Sequence, residues 1–375
     1  MRIKAFKLEE YFAKYEFNVK YTLCSSDCES FSVDELLTLE KDSLKNLKEV
    51  WLGYTESIGN PHLREEISKL YGNINPEEVI VFSGAEEAIF IAMNVLLKKD
   101  DHIIVQYPGY QSLYEIANAI GCKVTKWLMD DKNNWELDLQ FLESNITKST
   151  KCIVVNFPHN PTGYLPAKDF YKRIINIAKK NNIYILSDEV YKFLEYSETN
   201  RLPSACDIYD KGISIGVMSK AFGLAGLRIG WIATKDKELY EGIASFKNYT
   251  TICNSALSEF FATLALRNRS IIINRNLEII TNNLILLDDF FNNYGDFFKW
   301  IKPKAGSIAF PRLLANIGVE VFCLNLLKEK SVLLMPSTNY DYGDHYFRIG
   351  FGRKNMPEAL KKLEEYVKEK YKNLI

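Results

Sequence analysis

Short apolar runs alternate with helical patterns through the middle of the chain, between residues 79 and 233. The runs predict strands at Val79–Phe82, His102–Gln106, Lys123–Leu128, Cys152–Asn156, Tyr184–Leu186, Gly212–Val217 and Ile229–Ala233. Apolar positions that recur at helical spacing predict helices at Glu86–Leu97, Gln111–Ile120, Leu137–Asn145 and Ala167–Asn181. Strands that alternate with helices favour a mostly parallel, seven-stranded α/β sheet covered on both faces, with ligands bound beyond the carboxyl ends of its strands.

The two ends of the chain follow a different pattern. The first 50 residues are irregular apart from one helix predicted over residues 33–47, and a long helical pattern runs over residues 258–291. Short apolar runs at residues 307–310, 332–334 and 345–350 follow, and a charged amphipathic helix begins at Pro357. We therefore expect a large domain at residues 45–280 and a smaller, discontinuous α/β domain built from residues 1–44 and 281–375.

Charge and composition narrow the functional classes. The chain has 47 Lys and Arg residues against 48 Asp and Glu residues, a balance that argues against binding nucleic acid through bulk electrostatics. It has no apolar run of about 18 residues, so no membrane segment is expected. Seven cysteines without a CxxC pair and a charged start without a signal peptide predict a cytoplasmic protein with free thiols, and no residues have metal-ligand spacing.

Several common catalytic motifs are absent from the sequence. There is no GxGxxG, GxxxxGK[ST], HExxH or GxSxG pattern. Dinucleotide enzymes, P-loop nucleotidases, zincins and α/β-hydrolases are therefore disfavoured. A bound organic cofactor is one other source of chemistry.

Two loops that follow predicted strands carry candidate binding groups. Ser83-Gly84-Ala85-Glu86 has the spacing of a capping box, and Gly84 would let the backbone approach an anion at the helix N-terminus. The alternative is a plain capped helix. The loop from Asn156 to Gly163 contains two prolines, and Asn160 would present its amide to an oxygen, although a tight turn would have the same residues.

Two further segments carry charges in apolar surroundings. Asp188 ends a strand, where a carboxylate is costly to bury unless a cation such as a protonated ring nitrogen pairs with it, and Tyr191 could reach the same ligand. Lys220 lies among apolar and glycine residues, where desolvation lowers the pKa of an amine and favours Schiff-base chemistry. Arg228 suits bidentate contact with a phosphate. A solvated acidic turn and a surface lysine are the plainer alternatives.

One more cation lies in an apolar run near the end of the chain. Arg348, in Tyr346-Phe347-Arg348-Ile349-Gly350, needs a partner. That partner could be a structural carboxylate or the carboxylate of a substrate.

In this order, the motifs resemble those of the class I/II aminotransferases, which are pyridoxal-phosphate enzymes of fold type I. The resemblance extends from about Tyr54 to Arg348 and depends on the NPTG loop, the D-E-x-Y turn and the SK-x7-R segment. It implies pyridoxal 5'-phosphate as the cofactor and a homodimer with shared active sites. It also implies an amino acid and a 2-oxo acid as the small-molecule partners.

The resemblance implies catalytic roles for Lys220, Asp188 and Tyr191. Lys220 would hold the cofactor as an internal aldimine and move the proton between the substrate Cα and the cofactor C4′. Asp188 would pair with the pyridinium nitrogen. Tyr191 and Asn160 would hydrogen-bond O3′, and Tyr110 would stack on the ring.

The same resemblance implies the groups that bind the cofactor phosphate and the substrate. The phosphate ligands would be Gly84, Ala85, Ser219 and Arg228, with Tyr54 reaching the phosphate of the neighbouring subunit. Arg348 would bind the substrate α-carboxylate, with Asn160 beside it.

Some positions depart from the family pattern. Val217 replaces a hydroxyl residue, Ala85 has no hydroxyl for the phosphate, and Tyr249 stands near the position where aspartate-type enzymes carry a second arginine. The segment from Ser25 to Ser30 is also unusual, which suggests an unusual substrate.

Three functions are compatible with these residues. The first is an aminotransferase that moves an amino group between an L-amino acid and a 2-oxo acid. The second is a lyase, oxidase or cyclase that uses the same cofactor and fold. The third is a non-catalytic regulator, which the intact Lys220 and the absence of a DNA-binding module before residue 50 disfavour.

Overall fold

A computed structural model of the chain describes residues 2–371. Its helices are α1 Lys7–Tyr15, α2 Val33–Leu37, α3 Ser43–Lys48, α4 Pro61–Ser68, α5 Ala85–Leu96, α6 Ser112–Ile120, α7 Leu139–Asn145, α8 Lys168–Asn181, α9 Ala205–Ile208, α10 Lys237–Lys247, α11 Ala256–Arg267, α12 Arg269–Asn293, α13 Val319–Lys330 and α14 Met356–Lys370. Its strands are β1 Tyr21–Thr22, β2 Val79–Phe82, β3 His102–Tyr107, β4 Lys123–Leu128, β5 Thr150–Asn156, β6 Tyr184–Asp188, β7 Gly212–Val217, β8 Gly230–Thr234, β9 Phe298–Lys299, β10 Ile308–Ala309, β11 Arg312–Leu313, β12 Val332–Leu333, β13 Met335–Pro336 and β14 Phe347–Gly350.

A seven-stranded sheet with the order β2-β8-β7-β6-β5-β3-β4 forms the centre of the molecule. Strands β3 to β7 pair in parallel, and β8 is antiparallel to both of its neighbours. Since every other strand runs the same way, their carboxyl ends meet along one edge of the sheet. The predicted α/β fold is confirmed, and each predicted central strand is found with its ends moved by at most two residues.

Side chains that alternate along the strands fill two hydrophobic cores, one on each face of the sheet. On β3, for example, Ile103 and Val105 belong to one core and Ile104 to the other. Alternation of this kind follows from the two-residue repeat of a strand. Helices cover both faces, so the central strands are apolar at nearly every position.

The two ends of the chain meet in smaller sheets. Strand β1 pairs in parallel with β12, so that Tyr21 lies opposite Val332. Strand β14 lies between β10 and β13 and is antiparallel to both. The domain limits at residues 45 and 281 stay a prediction, and helix α12 runs without a break past the second of them. Residues 1 and 372–375 of the predicted small domain lie outside the described residues.

Two expectations about the helices need correction, and one helix was missed. The single helix expected over residues 33–47 is two short helices, since Asp42 takes a left-handed conformation with φ of 62° between them. The long pattern over residues 258–291 is divided at Asn268, which leaves helical geometry with ψ of 20°. Helix α1 was not predicted, although Leu8, Tyr11 and Tyr15 have helical spacing. Within residues 2–371, no helix combines the length and the apolar character needed to cross a bilayer.

Candidate active site

A cavity of about 390 Å³ opens at the carboxyl edge of the central sheet. Two groups of residues face each other across it. The first, which we call the sheet edge, comprises Asn160, Asp188, Tyr191, Val217, Ser219 and Lys220. The second, which we call the N-terminal wall, comprises Leu8, Glu9, Phe12, Glu16, Ser25, Ser26 and Asp27. The sequence-predicted residues Ala85, Tyr110, Arg228 and Arg348 also line the cavity.

The sheet edge is held by the pairing of neighbouring strands. Asn156 ends β5 directly opposite Asp188, which ends β6. The Asn156 amide donates to the backbone oxygen of Asp188 at 2.9 Å, and its side-chain oxygen accepts from the Asn160 N–H at 2.7 Å. One buried amide thus connects two strand ends to the loop that carries Asn160.

Asp188 is a buried carboxylate, with 4% of its surface exposed. Its Oδ1 accepts from the Val190 N–H at 3.2 Å. Burial raises the pKa of Asp188 to about 7, because a charge is poorly solvated there, while that hydrogen bond acts in the opposite direction. A cation placed beside this group would stabilise its ionised form.

Lys220 projects into the cavity beside Tyr191. Burial lowers the pKa of the Lys220 amine. Its Nζ donates to Ser26 Oγ at 2.8 Å and lies 5.9 Å from the centre of the Tyr191 ring. The Tyr191 hydroxyl is buried and has no hydrogen-bond partner among the described residues. The amine is therefore positioned to react, and a neighbouring hydroxyl is free to bind a ligand.

Arg228 and the start of helix α5 form a site suited to an anion. Gly84 has φ of 89°, and a Cβ there would lie 2.5 Å from Arg228 Nη2. Only glycine lets the guanidinium approach the helix N-terminus this closely. Arg228 Nη1 donates to Ala225 O at 3.0 Å and to Ser219 Oγ at 3.5 Å.

The capping box predicted from Ser83 to Glu86 is wrong. Gly84 is the N-cap, and Glu87 instead accepts from the Ser83 N–H at 2.6 Å. The Glu86 side chain consequently lines the cavity, where its Oε1 accepts from the Ser112 hydroxyl. Burial raises the pKa of Glu86, which favours its neutral form.

Arg348 lies on β14 and is 1% exposed. Its Nη1 donates to the Tyr340 hydroxyl at 2.7 Å and to Asn160 Oδ1 at 3.3 Å, and its Nε donates to Cys24 O at 3.1 Å. Nη2 has no partner among the described residues. A buried guanidinium with one free amino group is suited to binding a carboxylate. Tyr340 orients it and was not found by the sequence reasoning.

The N-terminal wall places helix α1 over the cavity. The Tyr110 hydroxyl donates to Glu9 Oε1 at 3.2 Å, and the Tyr110 ring lies 5.0 Å from that of Phe6. Phe12 lies beneath the Arg348 guanidinium at 5.5 Å. The direct contact between Ser26 and Lys220 was also missed, although the sequence around Ser26 had been noted as unusual.

Two residues singled out from the sequence lie outside the cavity. Tyr54 is 84% exposed and Tyr249 is 89% exposed, and neither lines the cavity of its own chain. Tyr54 lies instead beside Trp51 and Phe260, around a second and larger surface depression. A role for Tyr54 at a phosphate therefore requires a second copy of the chain.

Comparisons with known proteins agree with this geometry. The family model for aminotransferase class I and II matches residues 19–363. A pyridoxal-phosphate-dependent aminotransferase from Streptococcus suis is 32% identical, with a TM-score of 0.93 over 98% of this chain and 99% of that chain. A pyridoxal-phosphate-dependent cyclase, OrfR, is 28% identical, with a TM-score of 0.90 over 98% of both chains. The aspartate aminotransferase of Pyrococcus horikoshii is 29% identical over 86% of this chain and 87% of its own length.

Proposed function

The chain belongs to the class I and II aminotransferase family, and we propose that it moves an amino group between an L-amino acid and a 2-oxo acid. Like its relatives, it is an enzyme that depends on pyridoxal 5'-phosphate. One observation carries the proposal: a buried lysine amine, a buried carboxylate and a buried arginine with a free amino group all line one cavity.

The residues present fit this cofactor. Asp188 is a buried carboxylate that a ring cation would stabilise, and the Tyr191 hydroxyl is buried without a partner. Gly84 and Arg228 form a cradle that a Cβ would block. We infer that Gly84, Ala85, Ser219 and Arg228 hold the phosphate. Asp188, Tyr191, Asn160 and Tyr110 would hold the ring.

The cofactor, when bound, supplies a carbonyl group that condenses with amines and an electron-poor ring that withdraws charge from the substrate Cα. Lys220 would attach it and would move the proton at the substrate Cα, a role favoured by its lowered pKa. Asp188 would hold a proton on the ring nitrogen. Arg348 orients the substrate through its α-carboxylate, with Asn160 and Tyr340 fixing the plane of the guanidinium.

A homodimer with shared sites also belongs to the proposal. Tyr54 and Trp51 are large side chains, 84% and 78% exposed, on one surface of the single chain. Large exposed apolar groups in one area are typical of an interface. In the dimer, Tyr54 would reach the phosphate of the neighbouring subunit. The cytoplasmic location stays a prediction.

A cyclase or another non-transferring reaction is the second candidate, favoured by the likeness to OrfR. Isotope transfer separates the two. The purified holoenzyme would be given ¹⁵N-labelled L-amino acids with unlabelled 2-oxo acids, and mass spectrometry would follow the label. We expect the label in a new amino acid and no more than one turnover per site without the 2-oxo acid. Many turnovers without an acceptor, and no transferred label, would favour the second candidate.

A further inference from the structure

The N-terminal wall carries charges that the proposed reaction does not use. Three cations line the cavity, Lys220, Arg228 and Arg348, and each has a role toward the cofactor or the substrate carboxylate. Five carboxylates line the same cavity: Glu9, Glu16, Asp27, Glu86 and Asp188. An excess of anions around a site that must bind an anionic carboxylate needs an explanation.

Three of these carboxylates already have a partner or another place in the site. Asp27 accepts three hydrogen bonds from Arg353, one from Nε at 3.2 Å and two from Nη2 at 3.0 and 2.8 Å, and forms an ion pair with it. Asp188 faces the cofactor ring in the proposed function. Glu86 lies in the first turn of helix α5, beside the proposed phosphate ligand Ala85, and accepts a hydrogen bond from the Ser112 hydroxyl. Glu9 and Glu16 are left.

No salt bridge involves Glu9 or Glu16 within residues 2–371. Within the described residues, the Glu9 side chain accepts a hydrogen bond only from the Tyr110 hydroxyl, at 3.2 Å. Glu16 is half-buried. Burial raises the pKa of Glu16, and the charges of Asp27 and Glu9 add to this while Arg353 and Arg348 oppose it. A cation beside Glu16 would therefore be stabilised.

Arg348 fixes how an amino acid lies in the cavity. Arg348 lines the cavity and its buried Nη2 has no partner among the described residues, so the proposed function places the substrate α-carboxylate at this guanidinium. The substrate amine must reach Lys220. With two groups on Cα placed, the side chain occupies the rest of the cavity. Phe12 contacts Arg348, and Glu16 lies one helical turn further along on the same side, so the wall borders that space.

A metal ion would be another way to balance these charges. Within the described residues, however, no group of three or more His, Cys, Asp or Glu side chains is arranged to hold one. An organic cation carried by the substrate is the alternative.

We propose that Glu16, assisted by Glu9, binds a positively charged ammonium or guanidinium group on the substrate side chain, so that the amino donor is a basic amino acid. This inference rests on the proposed function for the orientation of the substrate. The carboxylates act as specificity-determining residues, because a neutral or acidic side chain would leave them unpaired or repelled.

Binding of amino acids that cannot lose a Cα proton tests the inference without requiring transamination. Calorimetry on the holoenzyme would compare α-methyl-L-lysine with α-methyl-L-norleucine, which has the same carbon chain and lacks the ammonium group. The arginine analogue would be compared with its neutral ureido counterpart, to separate an ammonium from a guanidinium group. We expect the charged member of one pair to bind about tenfold tighter or more.

Glu16→Gln removes the charge and keeps the shape of the side chain. It should reduce the preference in the favoured pair to about twofold, and Glu16→Asp should restore part of it. Glu10→Gln is the matched control, because Glu10 is exposed on helix α1, which Glu16 directly follows, and does not line the cavity. It should leave the preference unchanged.

The outcomes separate the two proposals. Equal binding within both pairs, or a preference that survives Glu16→Gln, would overturn the basic-donor assignment whatever the enzyme catalyses. A charge preference without transfer of label between amino and 2-oxo acids would support the assignment and refute transamination.

Discussion

The two sides of the cavity are built in different ways. The sheet edge is buried and rigid, since Asp188 and its neighbours lie at the ends of strands whose hydrogen bonds fix their register. The N-terminal wall is one short helix and a loop, joined to the rest by the two-residue pairing of β1 with β12 and by side-chain contacts. This arrangement keeps the reacting groups in place, while the wall residues that face the substrate side chain can be replaced.

The difference has a physical basis. A shift at the sheet edge would break ladder hydrogen bonds and leave buried polar groups without partners, which costs about 1–3 kcal/mol for each group. Glu9 is exposed and Glu16 half-buried, so their replacement leaves little unsatisfied. We therefore expect changes at the edge to affect chemistry and stability strongly, and changes in the wall to affect mainly the choice of substrate.

Replacing Lys220 with Ala should have the largest effect. The amine would be lost from the edge, and amino transfer should fall about 10⁴-fold or more, with the cofactor no longer attached covalently. Transfer of ¹⁵N and intact-protein mass spectrometry would measure both effects. Lys237→Ala, at an exposed lysine of the same fold, should change neither. If amino transfer fell no more in Lys220→Ala than in variants of the N-terminal wall, the proposed difference between the two sides of the cavity would be refuted.

Asp188→Asn should change how stability depends on pH in the protein without cofactor. The folded pKa of about 7 lies above the unfolded value, so Asp188 stabilises the fold most below about pH 4, and that stability is lost as pH rises through 7. The free energy of unfolding should fall by up to about 4 kcal/mol over this range, and Asn should abolish most of the fall. Denaturant titrations at several pH values would measure it.

The wall offers a matched comparison for that experiment. Burial also raises the pKa of Glu16, but this carboxylate is only half-buried. Glu16→Gln should therefore alter the slope of stability against pH much less than Asp188→Asn does. Equal effects would mean that the two sides of the cavity are equally desolvated.

Tyr54→Ala would test whether the sheet edge is completed by a second subunit. Loss of one hydrogen bond to a phosphate should weaken cofactor binding about tenfold. The Tyr54→Ala variant would then be unfolded together with the Lys220→Ala variant and refolded as a mixture. About a quarter of the subunits should regain tight cofactor binding, because random pairing gives one intact site in each mixed dimer. Fluorescence titration with the cofactor would measure the fraction. No recovery would mean that Tyr54 does not act across the interface.

Ser26→Ala should have the smallest effect of these changes. Ser26 is a wall residue that accepts a hydrogen bond from Lys220 Nζ at 2.8 Å, and without it the ammonium form is less stabilised. The rate of transfer should change only about threefold, with its pH profile displaced toward lower pH. Ser30→Ala, at an exposed serine in the same segment, should leave the profile unchanged. A large loss of rate would assign part of the chemistry to the wall.

The sheet edge could be predicted from local patterns. Strand ends are marked by the change from apolar runs to polar and glycine residues, so Asn160 and Asp188 could be placed at the carboxyl ends of β5 and β6 from the sequence, while Lys220 was identified by its apolar and glycine-rich surroundings. Parallel pairing then brings such ends together. The capping box predicted at Ser83 was wrong because Gly84 is the N-cap, so helix α5 begins one residue later than that capping box predicts.

The wall could not be predicted in the same way. Helix α1 has a detectable stripe in Leu8, Tyr11 and Tyr15, but nothing local says that it faces the cavity. The hydrogen bond from Lys220 to Ser26 joins residues 194 positions apart, and that from Tyr11 on helix α1 to the backbone oxygen of Leu334 joins residues 323 positions apart. Contacts of this kind depend on how the two chain ends pack together.

The pairing of Tyr21 with Val332 has a consequence for the order of assembly during synthesis. A ribosome releases the chain from its N-terminus, so every strand of the central sheet, ending with Thr234, emerges before β12 exists. The first residues synthesised are then among the last to find their place. In a nascent chain that stalls before Val332, the N-terminal wall would not yet cover the sheet edge. The cofactor could then bind at the sheet edge before the wall closes over the cavity.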